Sequence, residues 1–182
     1  MKRNETRKQR YEHKKNSAKH YPISLCCVNF NNDGNLGYLI RASACFGADT
    51  LHVIGSVPSR KKLNALSGTL YDYVKIIQHS SPSHFLSYSR TNKIKVVSAE
   101  ICKKAQSISS YNFAFDSHIC LVVGNESTGV PIEILLNSET IYIPMPGVGF
   151  CLNTSQTANI MLYEAVRQYD RHLSSVGRAP LL

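Results

Sequence analysis

The sequence predicts an α/β fold with a mainly parallel sheet, on three observations. Residues 23–30 (ISLCCVNF) and 119–123 (ICLVV) are continuous apolar runs of strand length. A strand without polar alternation is buried on both faces, as in a parallel sheet covered by helices. Strand-like and helix-like stretches alternate along the chain, which is the pattern of βα units. Residues 141–168 condense that pattern into one stretch: an apolar strand, a loop with Pro144, Pro146, Gly147 and Gly149, an Asn-Thr-Ser helix start and an amphipathic helix. A loop so rich in glycine and proline is expected to bring its main chain close to something.

Each element has its own local reason. Residues 1–20 have no apolar period and predict an arm, helical when bound. Tyr21-Pro22 ends the arm, and the first strand follows. Residues 31–34 (NNDG) are a turn cluster. Leu36, Leu39, Ile40, Ala44 and Gly47 then lie on a helical stripe. Arg41 falls about 130° from that stripe at 100° per residue, so it leaves the core and can face a cleft at the sheet edge. Further strands are expected at 50–54, 73–78, 93–98, 119–123 and 140–143. Helices are expected at 59–66, 84–90, 100–108 and 131–136, the last with Pro131 near its first turn. Residues 109–117 read as loop. The final helix carries Ala158, Met161, Leu162, Ala165, Val166 and Tyr169 at i, i+3, i+4, i+7 spacing.

At 182 residues, 43% of them apolar and 18% charged, the chain suits one domain with a real core. No apolar run approaches the roughly 18 residues of a membrane span. The charged N-terminus is not a secretory signal. The six cysteines (Cys26, Cys27, Cys45, Cys102, Cys120 and Cys151) form no CxxC pair. They fit buried free thiols in a reducing compartment, the cytoplasm, and give no expectation of a metal site. Residues 1–20 hold eight Lys or Arg against two Glu, so six of the nine net positive charges sit in the arm. That asymmetry suggests a polyanion partner, most simply RNA or DNA, with a solvated tail as the plain alternative.

Three Gly-bearing loops follow strand ends, at 32–37, 124–129 and 144–153. In an open parallel sheet such loops gather at the carboxyl edge, where ligands bind. There is neither GxGxxG nor GxxxxGK[ST], so no dinucleotide fingerprint or phosphate loop is indicated. Asn35-x-Gly37-xxx-Arg41-x-Ser43-xx-Phe46-Gly47, then LVVGNESTG (121–129), then IPMPGVGFCLNTSQTANIMLYE (143–164), resemble in order and spacing the three motifs of the SpoU branch of the SPOUT class. Those proteins are RNA ribose 2′-O-methyltransferases.

The resemblance covers roughly residues 23–168. It implies a Rossmann-like sheet with helices on both faces and a C-terminal deep trefoil knot, as a domain over 21–182 behind the arm. It implies S-adenosylmethionine held by the backbone around Gly124, Ile143, Met145 and Leu152, with the strand end near Ser98 close by. It implies a homodimer whose active site draws on both subunits. The catalytic residues carried over are Arg41, Glu126 and Asn153, with Asn35 and Arg41 toward the substrate. A guanidinium stays protonated. Arg41 is therefore expected to grip the target phosphate, with that phosphate or a water taking the hydroxyl proton. Glu126 and Asn153 are expected to hold the pocket's loops and orient Arg41 or the substrate. The chain departs from the motifs at Ser43, usually Ala, and at Cys151, usually Ser; a thiol is the weaker donor. With little but the arm and Arg60, Lys61 and Lys62 to select an RNA, tRNA is expected ahead of rRNA. The alternative is a non-catalytic RNA-binding or ribosome-assembly factor that keeps the knotted fold. The complete set Asn35, Arg41, Glu126 and Asn153 favours the enzyme.

Overall fold

The first apolar run forms β1 (Ile23–Val28), with every residue buried. It ends at Asn29, whose φ of 43° is a left-handed conformation that asparagine tolerates well, so the strand is two residues shorter than expected. This computed structural model describes residues 6–48, 50–175 and 177. Residues 1–5 of the expected arm and 178–182 of the expected domain lie outside them. The remaining strands are β2 (Thr50–Ile54), β3 (Lys75–His79), β4 (Ile94–Ala99), β5 (Gln106–Ser107), β6 (His118–Val123) and β7 (Glu139–Tyr142). They form one sheet in the order β3-β2-β1-β6-β4-β7-β5. Every strand pairing in this sheet is parallel among the described residues.

The two central strands show why apolar runs are required. Ile23, Leu25 and Cys27 of β1 and Ile119, Leu121 and Val123 of β6 point into one core. Cys26, Val28, Cys120 and Val122 point into the other. With a side-chain period of two, a polar residue at any of these positions would enter one core or the other. Each fully buried Leu or Ile contributes on the order of 1.5–3 kcal/mol.

The first core lies under α2 (Asp33–Phe46), α3 (Arg60–Leu66) and α6 (Thr154–Ser175), with α2 packed on both α3 and α6. A Cβ at Gly37 would collide with Leu66, so glycine sets the α2–α3 approach. The second core lies under α4 (Pro82–Thr91) and α5 (Ile132–Leu136). Caps explain the helix starts: the Asn32 side chain accepts from Gly34 N–H, Ser59 from Lys62 N–H, and Ser81 from His84 N–H.

Four features differ from expectation. The arm already carries a helix, α1 (Arg7–Asn16), started by a capping box between Thr6 and Gln9. Tyr11 packs on Tyr73 with ring centroids 6.3 Å apart. Residues 100–108 are turns and the short β5, not a helix. Glu100 spends its carboxylate on nearby backbone N–H groups, and Gln106 and Ser107 pair with Ile141 and Tyr142 instead. Strand β3 starts two residues late because Tyr71–Tyr73 makes a 3₁₀ turn. Only Cys26, Cys27 and Cys120 are buried thiols; Cys45 and Cys151 are exposed and Cys102 is half-buried. Among the described residues no helix is long and apolar enough to cross a membrane.

At the β2–β3 edge, His52 and His79 are both buried, with His52 Nδ1 3.0 Å from His79 Nε2. Burial, then the charges of His79, His118 and Lys75, push the His52 pKa down to about 4. The unfolded chain therefore takes up a proton near pH 6.5 that the folded chain refuses until about pH 4. Stability is full above pH 6.5 and falls as the pH drops toward 4, by about 3 kcal/mol. Urea unfolding at pH 7 and pH 5 should read about 2 kcal/mol of this loss, and a His52→Leu variant should show a shallower pH slope.

Candidate active site

The loops after β4, β6 and β7 line a cavity of about 180 Å³ at the carboxyl edge, and the loop after β1 is tied to them by hydrogen bonds to Glu126. Its floor is apolar, built from Val123, Ile141 and Ile143, with Met145 and Leu152 on the wall. The β6 loop turns tightly because Asn125 and Gly129 exchange two backbone hydrogen bonds of 3.0 Å. The Asn125 Oδ1 accepts from Ser127 N–H at 2.9 Å and Thr128 N–H at 3.2 Å. A Cβ at Gly124 would strike the Gly129 backbone, so this turn needs glycine where it passes the cavity.

Glu126 reaches back to the first loop. Its carboxylate accepts from Asn31 N–H (2.9 Å), Asn32 N–H (3.2 Å) and the Asn35 amide (2.7 Å), and from Asn125 Nδ2 at 3.4 Å. Burial raises its pKa, but those hydrogen bonds outweigh burial and hold it below the usual carboxylate range. An acid so held is a poor proton acceptor and a good anchor. Asn35, itself buried, accepts from Asn153 Nδ2 at 3.0 Å. Asn153 Oδ1 accepts from Ser155 N–H at 2.9 Å and Ser155 Oγ at 2.6 Å, starting α6. One relay thus joins all three motif loops.

Of the cofactor residues expected from sequence, Gly124, Ile143, Met145 and Leu152 line the cavity and Ser98 does not. Ser98 is fully buried, its hydroxyl 2.8 Å from Ser138 Oγ. Strand β4 runs one residue further than expected, so Ala99, Glu100 and Ile101 form that wall. Glu100, Thr154 and Thr157 are lining residues that sequence reasoning missed. Placing residues 100–108 in a helix hid Glu100; an acid directly after a buried strand end was the available signal. Asn35 and Asn153 sit in the relay, and Glu126 belongs to both relay and cavity. Arg41 does not line the cavity: it lies exposed on α2 beside Gly68, and Glu126 and Asn153 bond Asn35 rather than Arg41. The loop's expected close approach is not made within the chain, since Gly147 and Gly149 face open space and Val148 and Phe150 are more than nine-tenths exposed. Among the described residues no three His, Cys, Asp or Glu side chains gather as a metal site.

A parallel sheet with a glycine-walled cavity and three interlocked loops at its carboxyl edge defines a small-ligand-binding α/β protein. Residues 22–163 match the model of the SpoU rRNA Methylase family, and the chain belongs to that family. It is 34% identical over 141 residues to the 23S rRNA (guanosine-2′-O-)-methyltransferase RlmB of Acinetobacter baylyi, covering 74% of this chain and 55% of that protein. It is 21% identical to the tRNA (guanosine(18)-2′-O)-methyltransferase of Escherichia coli, over 80% of this chain and 63% of that one. The chain thus spans only a little over half the length of these relatives. A structure described as giving insight into 2′-OH methylation of C/U34 on tRNA superposes with a TM-score of 0.72 at 26% identity, covering 83% of this chain and 99% of that chain. The SpoU methyltransferase AviRb of Streptomyces viridochromogenes, solved with AdoMet, shares the fold with a TM-score of 0.71 at 23% identity, over 85% of this chain and 63% of that one.

The relay predicts strong coupling. Asn35→Ala should destabilise the fold by about 1–3 kcal/mol, because it strands Glu126 and Asn153 together. A double-mutant cycle with Asn153→Ala, read by chemical denaturation, should give an interaction energy above about 0.5 kcal/mol.

Proposed function

We propose that the chain is an S-adenosylmethionine-dependent RNA ribose 2′-O-methyltransferase. The observation that carries this is the joining of the three family motifs into one relay around one cavity. The chemistry of the lining suits the cofactor: apolar strand ends suit an adenine, and Gly124 lets the β6 loop fold tightly onto Gly129 beside the cavity. Gly124, Ile143, Met145 and Leu152 would hold it. When bound, it supplies an electrophilic methyl group. The chain's own residues then have to place a ribose hydroxyl and accommodate its proton. Glu126 is unsuited to taking that proton, since its carboxylate is held ionised by four N–H donors. Arg41 grips the target phosphate, and that phosphate or a water takes the proton.

The protein works as a homodimer. Arg41 lies away from the cavity of its own chain, which suits service to a partner's cavity. Tyr38, Tyr163, Val148 and Phe150 are large exposed side chains on α2, α6 and the loop before α6, suited to cover by a second copy. A C-terminal trefoil knot belongs to this reading, and the return of the chain from β7 through that loop to α6, packed on the central β1 and β6, supports it. The RNA is tRNA ahead of rRNA. The basic helix α1 with its flanking residues is an arm that adds salt-sensitive attraction to phosphates.

Transfer of labelled methyl to total tRNA and to rRNA, followed by nucleoside analysis, tests activity and substrate together. A 2′-O-methylated nucleoside in the tRNA pool is expected; no incorporation into either pool would favour a binding factor. Arg41→Ala should lower turnover about 10²-fold or more with cofactor affinity largely unchanged. Deleting residues 1–20 should flatten the slope of log K against log salt by about 0.7–0.9 for each phosphate that the arm had neutralised.

A further inference from the structure

The cavity is acidic in a basic chain. Its wall carries two carboxylates, Glu100 and Glu126, and no Lys, Arg or His among the described residues that line it, while the chain carries a net +9. The two acids are not equivalent. Glu126 is committed to the relay by four N–H donors. Among the described residues Glu100 accepts from two: Val130 N–H on Oε2 at 2.9 Å and Ile101 N–H on Oε1 at 3.0 Å. Its own N–H donates to Ile141 O at 3.0 Å, so backbone and side chain are both fixed. A carboxylate offers about four lone-pair sites, which leaves Glu100 with unused acceptor capacity on a wall of the cavity. The approach is close. Gly129 has φ +69°, and a Cβ there would stand 2.5 Å from Glu100 Oε2.

We propose that Glu100 is a specificity-determining residue that favours the cationic sulfonium cofactor over its neutral thioether product. The proposal rests on the cofactor reading given above. In the transfer the sulfur–methyl bond breaks and a bond from that carbon to the ribose oxygen forms. The sulfur keeps the electron pair and becomes neutral, and the hydroxyl proton passes to phosphate or water. The ligand in the cavity therefore loses one positive charge, and with it the attraction of the Glu100 carboxylate. The same carboxylate that draws the donor in eases the spent donor out.

Calorimetry on the full chain tests this with S-adenosylmethionine, with S-adenosylhomocysteine, and with an analogue bearing a protonated amine in place of the sulfonium. The wild type should bind both cationic ligands at least about tenfold more tightly than the thioether, a small part of what one close charge pair gives at an effective dielectric near 20. Glu100→Gln should bring the three affinities to near parity. A residue that only holds the loop would weaken all three ligands alike, and an unchanged ratio in the variant overturns the proposal. Should the variant fail to fold, the wild-type comparison of the amine analogue with the thioether decides alone, and equal affinities overturn the proposal. Binding of none of the three would overturn both the proposal and the cofactor reading.

Discussion

The site depends on one ionised carboxylate. Glu126, held in its charged form, can only accept hydrogen bonds, so the Asn35 amide must turn its NH₂ group toward it. That leaves Asn35 Oδ1 facing the other way, where it can accept only from a donor. Asn153 supplies its own NH₂ group, and so its Oδ1 is left to accept from Ser155. A charge on the β6 loop thus sets the orientation of two side-chain amides and ends by starting α6. Were Glu126 protonated, each amide could turn over, and the three loops would lose their common sense of direction. The relay is worth more than its separate bonds because each member's orientation is imposed by the one before it.

That polarity matters because of where α6 goes. From Asn153 the 22-residue helix runs over β6 and β1, the strands with a core on each face. Its buried residues, Ala158, Met161, Leu162 and Ala165, fill the core that Leu25 and Leu121 enter from below. The helix is therefore fixed twice, by its cap at the carboxyl edge and by packing along its length. Tyr21 adds a third tie near the far end, donating to Asp170 at 3.2 Å and packing edge-on to Tyr169. The loop before α6 is held only at its ends, which leaves Val148 and Phe150 facing outward without loosening the cavity wall.

What could be read from the sequence was whatever burial or spacing imposes over several residues. β1 and β6 were legible because both faces of each had to be apolar, and α6 because its stripe is long. Arg41's exposure followed from helical phase alone. The segment at 100–108 was not legible: Ile101, Ala105 and Ile108 mimic a helical period, while the pairing that decides their conformation comes from β7, more than thirty residues on. Glu100 was lost with it, since its role is visible only once Val130 and Gly129 are seen beside it. Ser98 was placed at the cavity because the strand was ended one residue early, and a one-residue shift exchanges a buried side chain for a lining one. The helix α1 was underrated because a polar, basic segment has no stripe, and its start is set by a local capping box.

The distribution of charge separates two recognition problems that a single basic surface would confuse. On the proposed function an RNA brings a dense array of negative phosphates and is drawn to the basic arm, while on α3 Arg60 already pairs with Asp72 and Lys62 with Asp33. If that positive potential extended into the cavity, phosphate would compete for it and a cationic cofactor would be repelled. Glu100 and Glu126 are the charged side chains among the described residues that line the cavity; hydrogen bonds hold Glu126 in its ionised form, and N–H groups pin both carboxylates in place. The hydrogen bonds that close the first loop on Glu126 therefore also keep its charge. At Glu126 geometry and charge are one property, because the donors that keep it ionised are the donors that hold the first loop, whereas Glu100 keeps acceptor capacity beyond its own loop contacts.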